Sequence, residues 1–70
     1  MISPKKLLNS KWTKLTDIRD KERHFLVVNV AYDDNGKVIL CRIQAVINAN
    51  QYDIDWRSLK EVEQWRAGWH

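Results

Sequence analysis

The residue types that make and break covalent bonds are few in this chain, and they are scattered. It has one cysteine, Cys41, two histidines, His24 and His70, and three serines, Ser3, Ser10 and Ser58. A nucleophile needs a base within hydrogen-bond reach and a third group to orient that base. No spacing here assembles such a set, and none of the serines has the flanking residues of a nucleophile elbow. Gly36 and Gly68 are the two glycines, too few for a loop that cradles phosphates on its backbone amides. A single thiol and two distant histidines supply neither a disulfide nor a tetrahedral metal set. The expectation is a protein without catalysis, cofactor or bound metal.

Binding is the chemistry the composition supports. The chain has four tryptophans, and 12 Lys and Arg stand against 9 Asp and Glu, for a formal net charge of +3. That charge is uneven: residues 1–23 carry seven bases and three acids, residues 24–70 carry five and six, and residues 1–14 hold no acid. Basic side chains contact phosphates, and aromatic rings stack unpaired bases at ~1–3 kcal/mol each. Lys5, Lys6, Lys11, Trp12 and Lys14, with Arg19, Lys21 and Arg23 on the polar stretch 17–23, are therefore the candidate contacts for single-stranded nucleic acid. Trp12 has a competing role, pinning the first strand to the core.

The alternative partner is a protein, or a second copy of this chain, added at an open sheet edge. For that reading the residues are Trp56 and Arg57, whose composition is that of an interface hot spot. The structural alternative for Trp56 is to fold back across the open end of the sheet. No recognised nucleic-acid motif decides between the two partners.

Seventy residues fit one small domain that buries only ~60% of its unfolded surface. Its expected parts are a basic arm (1–10), an antiparallel sheet (11–54) and a C-terminal helix (55–68). From His24 to Ile47 the sequence is rich in Val and Ile and is interrupted by Asp33-Asp34-Asn35-Gly36, the signature of a β-hairpin. A type I′ turn at Asn35-Gly36 would set Tyr32 opposite Ile39, Val30 opposite Cys41, Val28 opposite Ile43 and Leu26 opposite Ala45 on the apolar face. Asn29 with Arg42, and Val27 with Gln44, would take the other face. A type I turn with Gly36 as a bulge shifts the register by one.

Lys11 to Thr16 alternates as a strand, and Gln51 to Ile54 forms a short fourth one. The stretch from Asp17 to Arg23 reads as a mobile loop, and Cys41 as a buried small hydrophobe. Asp55 can cap a helix in which Leu59, Val62, Trp65 and Trp69 share one stripe, with Gly68 ending it. The fold class expected is α+β: a three- or four-stranded antiparallel meander, or with more curl an SH3-like half barrel, and one helix packed on it.

Four fragments together carry a family likeness: Lys11-Trp12-Thr13, His24-Phe25, Trp56-Arg57-Ser58-Leu59-Lys60 and Trp65-Arg66-Ala67-Gly68-Trp69. The chain resembles the small tryptophan-rich conserved hypothetical proteins of cyanobacteria and proteobacteria, over nearly everything from Pro4 to Trp69. The resemblance implies one bacterial domain and carries no activity, cofactor or site residue with it. The N-terminus lacks the apolar run of a secretory signal, and no stretch approaches the ~20 apolar residues of a membrane span. With a lone thiol, a cytoplasmic protein that does not engage membranes is expected.

Overall fold

The computed structural model describes residues 4–70; residues 1–3 of the expected basic arm, Ser3 among them, lie outside the described residues. Five strands form one antiparallel sheet: β1 (Lys11–Lys14), β2 (His24–Tyr32), β3 (Val38–Ala45), β4 (Gln51–Ile54) and β5 (Trp65–Ala67). Their order across the sheet is β4-β3-β2-β1-β5. Two 3₁₀ turns, Pro4–Lys6 and Trp56–Lys60, complete the regular structure. The architecture is all-β, which corrects the α+β expectation: the C-terminal α-helix over 55–68 does not form, and the sheet has five strands.

The reason lies in what β1 offers. Asp55 does cap the segment, its carboxylate accepting from the Arg57 amide at 3.0 Å. The turn nevertheless stops at Lys60, and Glu61 is extended at φ −78°, ψ 97°. A helix of fewer than ~12–15 residues is marginal on its own, whereas the outer edge of β1 presents backbone groups that need partners. Trp65–Ala67 supplies them, with Trp12 opposite Ala67, Thr13 opposite Arg66 and Lys14 opposite Trp65. The anticipated stripe then breaks up. Leu59 and Trp65 are buried, while Val62 is 81% exposed and Trp69 is 41% exposed.

The β2–β3 hairpin corrects the register in part. Asn29 faces Arg42, Val30 faces Cys41 and Ala31 faces Leu40, but Tyr32 pairs with Val38, and beyond a bulge Val27 pairs with Ile43 and Phe25 with Ala45. Gly36, at φ 79°, is the one residue between Asp33 and Lys37 with positive φ, and its amide donates to the Asp33 carbonyl at 3.0 Å. A type I′ turn would need two such residues. The turn is therefore the offset alternative, yet Asn29, not Val28, faces Arg42 as in the type I′ register, because one shift falls between Ala31 and Tyr32 and a separate one leaves Val28 between the paired Val27 and Asn29. A slip of one residue exchanges faces, so Phe25 and Val27, in place of Leu26 and Val28, join Cys41, Ile43 and Ala45 in the core.

Leu7, fully buried, fastens the described part of the basic arm to that core. Asn9 donates to the Val27 carbonyl at 2.8 Å and Val27 donates to the Ser10 carbonyl at 3.0 Å, while the side chains of Lys5 and Lys6 stay in solvent. Among the described residues no helix is long and apolar enough to cross a membrane.

Candidate functional site: an aromatic groove with lysines braced on indoles

Strand β1 turns Trp12 into the core, where it is only 6% exposed. Its indole N–H donates to Ser10 Oγ at 2.8 Å, and the Ser10 hydroxyl donates in turn to the Leu7 carbonyl. From β5, Trp65 meets Phe25 edge-on with ring centroids 5.5 Å apart. The second 3₁₀ turn brings Leu59 against the same cluster. Between these elements opens a groove of about 560 Å³. Trp12, Trp65 and Leu59 are its buried lining, Val62 and Ala67 its exposed apolar lining, and Ser10, Lys11 and Lys60 its polar lining. None of these residues is acidic.

Both groove lysines rest on indoles. Lys11 Nζ lies 4.8 Å from the centroid of Trp69, and Lys60 Nζ lies 4.5 Å from that of Trp56. Lys14 Nζ stands 5.8 Å from Trp65. A cation held this way gains ~0.5–1 kcal/mol at an exposed site. The ring positions the ammonium and leaves its charge uncancelled.

Trp69 owes its place to a turn at Gly68, whose φ of 86° suits glycine. The Gly68 amide donates to the Lys11 carbonyl at 2.8 Å, and the Trp69 indole N–H donates to the Phe25 carbonyl at 2.9 Å. Thr13, buried in β1, clamps the same segment: its hydroxyl donates to the Gly68 carbonyl at 2.7 Å and accepts from the His70 amide at 2.9 Å. His24 Nε2 lies 2.8 Å from the His70 carbonyl oxygen.

The rest of the basic surface is left open. Among the described residues the ion pairs are Arg42–Asp53 at 2.7 Å and Arg57–Asp55 at 3.6 Å. Lys5, Lys6, Lys11, Lys14, Arg19, Lys21 and Arg23 take part in neither. Three acids share this stretch: Asp17 and Asp20 are exposed among the cations, and Asp17 lines a pocket with Lys14 and Arg19, whereas Glu22 is engaged with β4. Glu22, only 5% exposed, accepts from the Tyr52 hydroxyl at 2.7 and 2.8 Å and from Asn50 Nδ2 at 3.1 Å. The Tyr52 hydrogen bond, foremost, holds the Glu22 carboxyl below its ordinary value, and the same contact raises the Tyr52 phenol. These bonds tie the 17–23 loop to β4, beside a second pocket of about 330 Å³ that Lys14 and Arg19 also line.

The structure thus brings Lys11 and Trp12 to one groove and sets Lys14 beside it on Trp65. Trp56 is half-buried and packs against the core, and Arg57 turns toward its own cap residue. Reading along the chain missed Leu59, Lys60, Val62 and Ala67 as groove residues. The four-residue step from Trp56 to Lys60 was a visible signal of one brace. The Lys11–Trp69 brace had none, because it depends on β5 pairing with β1. Cys41 is buried, as expected, and burial first, then Asp53 and Asp55, pushes its thiol up to about 11. No group of three or more His, Cys, Asp or Glu among the described residues is placed to hold a metal.

Residues 10–70 match the model of a family described as tryptophan-rich protein, DUF2389. No curated protein and no solved structure matches the chain.

Proposed function

We propose, taking as premise that this chain belongs to that tryptophan-rich family, that it is a non-catalytic module whose partner is nucleic acid. The observation that carries this reading is that, among the described residues, no cation in residues 5–23 forms an ion pair, beside a sheet edge where lysines sit on rings. Of the carboxylates, the fold uses Glu22 in a hydrogen-bonded clamp within electrostatic reach of Lys14 and Asp53 for Arg42, while Asp17 and Asp20 stand exposed and reduce the positive field of the 17–23 loop without cancelling that of Lys11. A basic surface left in this state supplies phosphate contacts and speeds encounter with a polyanion. The nucleophiles support the non-catalytic part: Cys41 is kept as a buried thiol, and His24 is engaged with the His70 carbonyl.

The test is an oligonucleotide titration at several salt concentrations. Affinity should fall with a log–log slope of ~0.7 per phosphate neutralised on a single strand, and Lys11→Glu with Lys14→Glu should weaken binding and flatten that slope. An absence of salt-sensitive binding at ~50 mM salt would remove the reading. The rival, a protein or second copy at the open β4 or β5 edge, would instead show as mass that rises with concentration in sedimentation and falls back on Trp56→Ala.

A further inference from the structure

We infer that the groove between β1, β5 and the second 3₁₀ turn is a seat for one unpaired nucleobase, and that all four tryptophans serve it. The inference rests on the nucleic-acid reading above and adds to it a choice of single strand over duplex. Trp12 and Trp65 form the aromatic lining, while Trp56 and Trp69 are positioning residues that hold Lys60 and Lys11 beside it. The two halves match the two halves of a nucleotide: an apolar slot for a base, and cations for the phosphates that flank it.

Three observations favour this occupant. The groove's volume of about 560 Å³ falls within the ~300–1,000 Å³ of sites that enclose small molecules, room for a base and its sugar. Its lining carries two positive charges and no negative one, so charge complementarity calls for an anion. Val62, apolar and 81% exposed, stands at the groove with its side chain available to a ligand. A base paired within a duplex has its faces stacked on neighbours and cannot enter such a slot, whereas an unpaired base can leave its strand at little cost.

The experiment compares four probes on the full chain under one low-salt buffer: a 12-nucleotide thymidine strand, the same strand made of abasic sites, a duplex and heparin. The thymidine strand should bind about 5- to 100-fold more tightly than the abasic strand and alone should quench tryptophan emission strongly. Val62→Asp, at an exposed position, should bring the thymidine strand down to the abasic level while heparin loses far less. Trp56→Ala and Trp69→Ala should weaken both strands and flatten the salt slope, and Trp56→Phe and Trp69→Phe should restore it by keeping a ring under each lysine. Equal affinity for thymidine, abasic and duplex probes would overturn the groove's role and leave polyanion binding standing. No binding to any nucleic acid, or occupation of the groove by an acidic apolar peptide alone, would sink both.

Discussion

The two sides of the sheet handle charge in opposite ways. On the β3–β4 side, charges and polar groups meet each other: Arg42 donates to Asp53 at 2.7 Å, and Glu22 accepts from Tyr52 and Asn50. On the β1–β5 side, Lys11 and Lys14 meet indoles. A carboxylate partner lowers the field a cation projects into solvent; a ring does not. In this chain the indoles and the lysines that rest on them are one feature, because rings let the fold fix Lys11, Lys14 and Lys60 in place while keeping their charge available.

The largest effect should come from removing a ring that is both groove lining and core. Trp65→Ala should cost about 3–5 kcal/mol in urea denaturation, and a loss below about 1 kcal/mol would mean that the β1–β5 side does not hold the fold together. Thr13→Val comes next. It deletes the hydroxyl that clamps the Gly68–His70 segment and should cost about 1–3 kcal/mol, with faster amide exchange at His70 as the local signature. If exchange there is unchanged, Trp69 is held without this clamp.

On the other side, Glu22→Gln probes hydrogen bonding. Because the Glu22 carboxyl is depressed in the folded state, its contribution is present above its ordinary value of 4.5 and disappears as pH falls through the folded value. The variant should therefore be less stable near neutrality and lose part of the wild-type fall in stability below pH 4.5. A parallel acid profile in the two proteins would break the assignment. The smallest effects should be Arg42→Ala and Lys60→Ala. Both exposed contacts should leave the unfolding midpoint nearly unmoved, yet Lys60→Ala should weaken oligonucleotide binding and Arg42→Ala should not. Equal binding losses would erase the contrast between the two sides.

Much of the sheet was legible in the residues. The Val- and Ile-rich runs on either side of Asn35-Gly36 place β2 and β3, and the alternation through Cys41, Ile43 and Ala45 identifies the buried face of β3. Trp12 was readable as a core residue as well as a contact, and it is buried. The turn type was not legible, since Asn35-Gly36 suits two turns whose registers differ by one residue. The bulge at Val28, which returns Phe25 and Val27 to the core, leaves no local mark.

The same holds more strongly for the last fifteen residues. Leu59, Val62, Trp65 and Trp69 satisfy a helical period, and Trp65-Arg66-Ala67 satisfies a strand's. Within so short a segment the two patterns overlap, and only the partner distinguishes them.

By itself, the sequence determined a central hairpin, a buried thiol, Asp55 as a cap, though for a helix where only a 3₁₀ turn forms, and an excess of lysine near its start. Tertiary structure decided that the chain end would close on β1 as a strand, and with it where Trp69, Lys60 and the groove came to lie. Apolar periodicity and turn chemistry act between near neighbours, whereas the demand of an unfilled strand edge for backbone partners is felt by residues more than fifty positions away.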